Sequence, residues 1–210
     1  MKILLAMLFV AMCSCAFAAQ ANTEAQKEFD ALLAKVKQSD ESVDFAQLRR
    51  LYSQTESYSP FGDNPPQEMF AALNNSDFKK SRSLAEEVLD ENYLNVDAHL
   101  VERLACDKLK DEKCSAHHRY VARGIIDSIL RSGDGKTPET AMFVISIAEE
   151  YLAARALGLR VVSQALEHIT GHSYDVLTVV DAKTNAEGRL YFNIDVISAA
   201  EERMFQKKGN

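Results

Sequence analysis

The sequence predicts an α+β protein, with helical hairpins in its N-terminal part followed by a small α+β unit that contains an antiparallel sheet. Three observations lead to this prediction. Apolar residues recur at helical spacing up to about residue 131, and no proline lies between Pro66 and Pro138. After residue 140 the chain carries short β-branched and aromatic runs that end in turn residues. A composition of 47% hydrophobic and 26% charged residues is typical of a chain that buries a core.

Residues 1–18 have the features of a signal peptide. Lys2 supplies a positive charge, residues 3–12 form an apolar run, and Ala18 completes a small-x-small cleavage pattern. The apolar run is too short to span a bilayer. We therefore expect cleavage near Ala18 and a periplasmic or secreted protein. A lipid anchor at Cys15 is the alternative.

The charge of the chain excludes some partners. The net charge is −7, and it becomes one unit more negative if the segment with Lys2 is removed. An acidic protein repels phosphate backbones, and the sequence has no segment in which basic residues alternate with aromatic ones. We therefore expect no nucleic-acid partner and no membrane span.

The N-terminal part reads as a series of helices separated by short breaks. The helices are predicted at 24–38, from about Asp44 onward, and at 66–74, 77–92, 96–109 and 111–131, with a proline-rich loop at 57–66.

Two turns in this series are equivalent. Asp77 and Asp111 both start a helix and lie 34 residues apart, which is the repeat length of tetratricopeptide helical hairpins. The repeats are degenerate, and two of them cannot bury their apolar faces alone. We therefore divide the chain into a signal peptide at 1–18, a helical, tetratricopeptide-like region at 19–131 and an α+β unit at 132–210.

Two cysteines flank one of the predicted turns. Cys106 and Cys114 lie on either side of the segment 107–113. In an oxidising compartment, a disulfide between them would crosslink the two helices of the hairpin. Two reduced, half-buried cysteines are the alternative.

The C-terminal part alternates between strands and helices. Strands are predicted at 141–146, 160–168, 173–181 and 189–197, a helix at 148–158 and a short helix at the end. The second and third strands should form a hairpin, which the fourth extends into a meander.

The segment Gly135-Lys136-Thr137 invites comparison with a phosphate-binding loop. Such a loop needs a further glycine at position 130, which is Leu130, and a preceding strand, whereas the preceding segment is helical. We expect instead that Gly133 caps the helix in a left-handed conformation and that Thr137 caps a short helical turn. We therefore expect no nucleotide cofactor.

The five histidines provide only a weak metal signal. They are His99, His117, His118, His168 and His172, of which His117 and His118 are adjacent on a helix and should point to different faces. His168 and His172 bracket a turn and could bind a metal with Glu167 or Asp175. We expect them instead to be turn residues, and we expect no metal cofactor.

The best candidate for a site lies on the strands. Alternation places Tyr191, Asn193 and Asp195 on one face of the last strand, opposite Leu190, Phe192 and Ile194. Together with Tyr174 or Asp175, the polar side chains could line a patch beside His172. A histidine with an acid and a tyrosine could perform acid–base chemistry. The candidate catalytic residues are His172, Tyr174, Asp175, Asn193 and Asp195.

Three blocks of sequence together resemble one family. They are VDFAQLRRLYSQTESYSPFG, SGDGKTPETAMFVISIAEEYLAARALGL and GHSYDVLTVVD with LYFNID. The pattern is similar to the exported bacterial proteins grouped as domain-of-unknown-function family 4919. The resemblance implies export and a shared fold, but it implies no activity. The matching polar positions are Asp134, Lys136, Glu150, Gln164, His172, Tyr174, Asp175, Asn193 and Asp195.

Two classes of function remain open at this point. The helical hairpins and the absence of a common catalytic motif favour a module that binds another exported protein or a peptide. The alternative is a hydrolase-like enzyme, or a protein that binds a small ligand or metal, with a site near His172, Tyr174 and Asp195.

Overall fold

The computed structural model describes residues 23–61 and 65–208. The predicted signal peptide, with its cleavage near Ala18 and the alternative lipid anchor at Cys15, lies outside the described residues. The chain forms two compact units, of which the first ends at Tyr58 and the second begins at Ser59. The division that we predicted between residues 131 and 132 stays a prediction. None of the helices in the described ranges is both long and apolar enough to cross a membrane.

The described part of the first unit contains two helices, α1 at 23–37 and α2 at Phe45–Tyr52. Helix α2 begins where predicted because the Asp44 carboxylate accepts hydrogen bonds from two backbone N–H groups of its first turn, at 2.8 and 3.1 Å. The aromatic ring of Tyr52 packs on Phe29, with ring centroids 5.5 Å apart. The two helices are therefore joined by an aromatic contact.

The second unit begins with four helices that pack in sequence order. They are α3 at Gln67–Asn74, α4 at Phe78–Glu91, α5 at Val96–Leu109 and α6 at Glu112–Leu130. Each helix packs on the next along the chain. Asp77, Asn95 and Asp111 cap α4, α5 and α6 by accepting a backbone N–H in the first turn. Asp77 and Asp111 thus have the equivalent roles that the sequence predicts.

The apolar stripes of these helices form one core cluster. Met69 of α3, Ala85 of α4 and Ala98 of α5 are fully buried in it, and Leu84 packs against it. Each fully buried large aliphatic side chain contributes about 1.5–3 kcal/mol relative to an exposed one. Burial at helical spacing therefore stabilises the hairpins, as the periodicity predicts.

A four-stranded sheet follows, with a short 3₁₀ helix at Pro138–Thr140 before it. The strands are β1 at Met142–Phe143, β2 at Leu159–Ile169, β3 at His172–Asp181 and β4 at Glu187–Asn193, and helix α7 at Ile147–Ala156 lies between β1 and β2. Their order in the sheet is β1-β4-β3-β2. The α+β class and the helical N-terminal region are therefore confirmed.

The sheet is mixed, and our prediction of an antiparallel sheet is wrong in one strand. Strands β2, β3 and β4 form the predicted antiparallel meander, but β1 pairs with β4 in parallel. Parallel neighbours need a long crossover, and here α7, β2 and β3 supply it. A pairing across this separation leaves no local signal in the sequence.

The last predicted strand, 189–197, is also too long. Strand β4 ends at Asn193, and Asp195 begins helix α8 at Asp195–Lys208. The Asn193 side-chain oxygen accepts the Asp195 N–H at 3.2 Å, which turns the chain out of the strand. An acidic residue in the first turn is favoured by the helix dipole. Asp195 therefore does not share a strand face with Asn193.

Gly133 has a different role from the one predicted. Its φ is not in the left-handed region, whereas that of Gly135 is +67°. A Cβ on Gly133 would lie 2.4 Å from the carbonyl oxygen of Thr140 and 2.5 Å from that of Ala141. Glycine stands here because the backbone passes too close for any side chain.

Candidate functional site

The structure brings together most of the polar cluster that the strand pattern predicts. His172 Nδ1 lies 2.6 Å from Asp195 Oδ2, and Asn193 Nδ2 donates to the same oxygen at 3.1 Å. The rings of His172 and Tyr174 are 6.4 Å apart. Tyr174 pairs with Asn193 across β3 and β4, so the two share a face of the sheet.

Asp195 organises this cluster. It also accepts the backbone N–H of Ser173 at 2.8 Å. Burial acts to raise the pKa of Asp195, but the hydrogen bonds from Ser173, His172 and Asn193 outweigh it, so the pKa is lowered. Asp195 is therefore an ionised carboxylate that orients the half-exposed His172.

The cluster lacks the chain of contacts that activates a serine nucleophile. Such a chain runs from a hydroxyl to one histidine nitrogen and from the other nitrogen to an acid. Here the Ser173 hydroxyl lies 3.1 Å from His168 Nδ1, whereas Asp195 contacts His172. Ser173 pairs with His168 across β2 and β3, and His172 pairs with Ile169, so the two histidines are on opposite faces. They are therefore not placed to bind one metal ion.

Asp175 lies on the opposite face of β3 from His172 and Tyr174, and it belongs to a different group. Gln164 Nε2 of β2 donates to Asp175 Oδ2 at 2.6 Å and lies 3.4 Å from Glu150 Oε2 of α7. The hydroxyl of Tyr151 donates to the other side-chain atom of Gln164, Oε1, at 2.9 Å. Asp175 and Glu150 are both buried.

Two buried acids beside one amide cannot both ionise at low cost. Burial raises the pKa of Glu150 to about 9, and the neighbouring charge of Asp175 and a hydrogen bond to it act in the same direction. Glu150 is therefore protonated at neutral pH. Glu150 on α7 and Asp175 on β3 thus meet through Gln164 of β2, where the helix lies against the sheet.

The loop around Lys136 is held by its own side chains. Asp134 Oδ1 accepts the Lys136 N–H at 3.1 Å and the Thr140 hydroxyl at 2.6 Å. These hydrogen bonds lower the pKa of Asp134 to about 2, and the one from Thr140 has the larger effect. Lys136 Nζ lies 3.2 Å from the other oxygen of Asp134. The nine polar positions that match the family therefore lie in three separate places: the cluster at His172, the group of Glu150 and Asp175, and the loop at Lys136.

A further cluster, which sequence reasoning missed, lies between α5 and α6. His99 Nδ1 is 2.8 Å from His118 Nδ1, and His99 Nε2 is 2.8 Å from the backbone oxygen of Tyr93. His117 Nε2 is 2.7 Å from the hydroxyl of Tyr93. His117 and His118 therefore contact different residues of the Tyr93–His99 pair.

The hydrogen bonds of His99 define its tautomer. A carbonyl oxygen only accepts, so His99 Nε2 carries the proton. Burial lowers the pKa of His99 to about 3, so His99 is neutral and its Nδ1 accepts from His118 Nδ1. Burial also lowers the pKa of His118 to about 4, which leaves His118 Nε2 with a free lone pair at neutral pH.

The disulfide adjoins this histidine cluster. The structure joins Cys106 and Cys114, with their Cα atoms 5.9 Å apart. Glu102 Oε2 lies 3.5 Å from one sulfur and 3.8 Å from the other. Burial raises the pKa of Glu102 to about 7 against the opposing charge of Arg82, whose Nε is 3.6 Å away. The buried Cys106 and Glu102 and the partly buried Cys114 thus form a group next to His118.

The sequence does contain a signal for this group. Glu102 and Cys106 are four residues apart on one predicted helix, and Cys114 and His118 are four residues apart on the next. Residues at this spacing lie on one face of a helix. Two such pairs on the two helices of a hairpin should have indicated a shared site.

The outer edge of β2 is the most exposed part of the sheet. Strand β2 is an edge strand with eleven residues, and within the described ranges only β3 pairs with it. Val162 is 54% and Leu166 59% exposed, and Tyr151 of α7 is exposed nearby. Val162 sits at a register shift between Val161 and Ser163, which locally bends the edge.

These features define an α+β protein with packed helical hairpins and a mixed sheet, and the polar clusters among its described residues show no common catalytic arrangement. The chain belongs to the family described as domain of unknown function (DUF4919), whose model matches residues 18–203. No curated protein and no solved structure matches the chain.

Proposed function

We propose that this chain is an exported protein that binds an extended segment of another polypeptide along the outer edge of β2. The observation that carries the proposal is the open edge of this eleven-residue strand. An edge strand offers unpaired backbone N–H and C=O groups, to which a peptide can add as a further strand. Natural edges are normally shortened or charged to prevent this.

The side chains beside the edge indicate the chemistry of the peptide. Leu166 and Gln164 are two residues apart and share a face of β2. The hydrogen bond from Tyr151 to Gln164 places the tyrosine ring over that same face. A peptide strand next to β2 would therefore find an apolar surface at Leu166 and Tyr151. We infer that the partner carries apolar side chains at alternate positions.

Selection from a library of linear peptides displayed on phage tests the proposal. We expect enrichment of peptides with alternating apolar residues, and the variant L166K should bind them at least about 10-fold more weakly, a difference of about 1.4 kcal/mol. The matched control is F205K, which introduces the same charge at an exposed apolar residue of α8 and should bind within about twofold of the wild type. Equal binding by L166K and F205K, or no enrichment at all, would show that the edge is not the binding site.

Export is a separate part of the proposal and has its own test. Mass spectrometry of the protein purified from its native host should give a mature chain that starts at Ala19, as the cleavage pattern predicts. A chain that starts at Cys15 with the added mass of a diacylglycerol would establish the lipid anchor instead. An intact N-terminus at Met1 would contradict both.

The second candidate function is an enzyme that uses the polar cluster at His172. The observation in its favour is the contact of 2.6 Å between His172 and the ionised Asp195, since an acid beside a histidine is typical of a general base. A screen of the wild type and H172Q against ester, phosphate and glycoside substrates tests it. Turnover by the wild type that is lost in H172Q would favour the enzyme over the binding module.

A further inference from the structure

Two antiparallel helices bring four side chains with metal-binding atoms to one place beside their connecting turn. Helix α5 supplies Glu102 and Cys106, and helix α6 supplies Cys114 and His118. Each pair has the i, i+4 spacing that places both side chains on one helix face. The four side chains therefore meet within the hairpin that the disulfide closes.

The distances among Glu102, Cys114 and His118 are close to those of a metal site, and Cys106 adjoins Glu102 and Cys114. Glu102 Oε2 lies 3.5 and 3.8 Å from the two sulfurs and 4.0 Å from His118 Nε2. One metal-binding atom from each of Glu102, Cys114 and His118 lies within 4.8 Å of the other two. Tetrahedral Zn²⁺ has its ligands at about 2.0–2.3 Å, so modest side-chain rotations would close the set around an ion.

The orientation of His118 is that of a metal-binding histidine. Such a histidine uses one ring nitrogen for the metal and holds the other in a fixed hydrogen bond. His118 Nδ1 is engaged by His99 at 2.8 Å, and His99 is in turn held by the backbone oxygen of Tyr93. The remaining nitrogen, Nε2, is the one that faces Glu102.

Glu102 contributes a second, independent sign of a site. Its side chain is only 1% exposed, and its Oε1 is buried with no hydrogen-bond partner among the residues that the structure describes. Leaving a buried polar atom unpaired is costly, and a bound cation would reduce that cost. Arg82 Nε, at 3.6 Å from Oε2, is the cation that already adjoins it.

We propose that reduction of the Cys106–Cys114 disulfide creates a Zn²⁺ site formed by Cys106, Cys114, His118 and Glu102. In the oxidised chain the sulfurs are bonded to each other, and metals bind the thiolate. A dithiol donates two electrons and two protons to the disulfide and itself becomes a disulfide. Zn²⁺ then replaces the two thiol protons, which pass to solvent. Two thiolates, an imidazole and a carboxylate favour Zn²⁺ over Mg²⁺ or Ca²⁺.

Asp111 is the competing fourth ligand, since its carboxylate also lies near both sulfurs. However, its Oδ1 accepts the Cys114 N–H at 3.1 Å as the cap of α6. Its Oδ2 faces Arg82 at 3.3 Å. Both oxygens of Asp111 are therefore engaged within the hairpin. Glu102, by contrast, has an oxygen, Oε1, with no hydrogen-bond partner among the described residues.

The experiment compares metal binding by the oxidised and the reduced chain. The protein is reduced with a phosphine, desalted without oxygen and titrated with Zn²⁺ in competition with a chromophoric chelator. We expect one Zn²⁺ per reduced chain and binding at least about 100-fold weaker by the oxidised chain, in which no thiolate is available. With Co²⁺, the reduced chain should show the intense visible bands of a tetrahedral site and a thiolate-to-cobalt charge-transfer band.

The variants identify the ligands. H118A and E102Q should each weaken Zn²⁺ binding at least about 10-fold, whereas H117A, which changes the adjacent histidine, should leave it within about twofold. D111N should also leave it unchanged, because asparagine can cap the helix. If reduction alone unfolds the hairpin, the helical circular dichroism signal should return at one equivalent of Zn²⁺. Equal Zn²⁺ binding by oxidised and reduced chains, equal binding by H118A and H117A, or no return of the helical signal would overturn the proposal.

Discussion

The carboxyl group of Glu150 on α7 and that of Asp175 on β3 meet at a single amide, because Gln164 Nε2 lies 3.4 Å from the first and 2.6 Å from the second. Both acids are buried. Glu150 Oε1 has no hydrogen-bond partner within the described part of the chain. The helix and the sheet are thus joined through the Gln164 amide, and the raised pKa of Glu150 keeps a second buried charge out of this contact at neutral pH.

The first prediction concerns the pH dependence of stability. The folded-state pKa of Glu150, about 9, lies above its ordinary value of 4.5, so the folded chain binds a proton more tightly than the unfolded chain. The stabilisation is fully present below pH 4.5 and is lost as the pH rises through about 9. The free energy of unfolding should therefore fall by up to about 1.4 kcal/mol per pH unit in this window. Urea denaturation at a series of pH values measures it.

The variant E150Q should remove this slope above about pH 7, because glutamine has no carboxyl proton to lose, whereas below that pH the raised pKa of Glu102 also contributes. The matched control is E87Q, a change of the same type at an exposed position of α4, and it should keep the slope of the wild type. If E150Q retains the full slope, Glu150 does not hold the proton.

The second prediction concerns the disulfide. The variant C106A/C114A should lower the free energy of unfolding by about 2.5 kcal/mol, because the cysteines are 8 residues apart and the crosslink restricts the unfolded chain by about that amount. Urea denaturation in the presence of a chelator measures the change without contributions from metal ions. The reduced wild type should match the variant. Coincident unfolding curves for the oxidised wild type and the variant would contradict the prediction.

The third prediction concerns the close passage of the chain at Gly133. The variant G133A should be destabilised by about 1–3 kcal/mol, because the added Cβ would meet two carbonyl oxygens and force the backbone apart. The control is G188A, where the nearest atom to an added Cβ is a Val179 methyl group at an ordinary 3.8 Å. Thermal unfolding of both variants should show a lower midpoint for G133A alone. Similar midpoints would show that the segment can adjust.

The fourth prediction concerns Asp195. The variant D195A removes the acceptor for Ser173, His172 and Asn193, so the free energy of unfolding at pH 7 should fall by about 1–2 kcal/mol. The pKa of Asp195 is lowered in the folded chain, so its contribution is present above its ordinary pKa and is lost as the pH falls below about 4. The difference in the free energy of unfolding between D195A and the wild type should therefore be smaller below about pH 4 than at pH 7. Urea denaturation at pH 7 and at a pH below 4 measures it. The exposed Asp90 provides the control D90A.

The helices were predictable because their causes are local. The capping side chains of Asp77 and Asp111 act on N–H groups three residues away, and helix α5 has the same bounds that periodicity predicts, 96–109. Family membership was also predictable, since blocks of sequence carry it. The short strand β1 was predicted from its apolar composition, but its parallel pairing with β4 was not.

The polar clusters show where local reasoning ends. Strand alternation predicted correctly that Tyr174 and Asp175 point to opposite faces, because the side-chain period of a strand is two. It placed Asp195 wrongly, because the Asn193 side chain ends the strand by a hydrogen bond that competes with the ladder. It did not pair Asp175 with Glu150, which is 25 positions away in the chain.

The sequence by itself determined the order and type of most helices and strands, the turn that a disulfide could close, and membership of a family. Only the tertiary structure decided which polar groups are neighbours and which of them are buried. Helix bounds and strand faces arise from contacts within a few residues, whereas a shifted pKa or a set of metal ligands depends on distances between groups that the packing of helices and strands brings together. For this reason Glu102 becomes notable only when Cys106, Cys114 and His118 are seen around it.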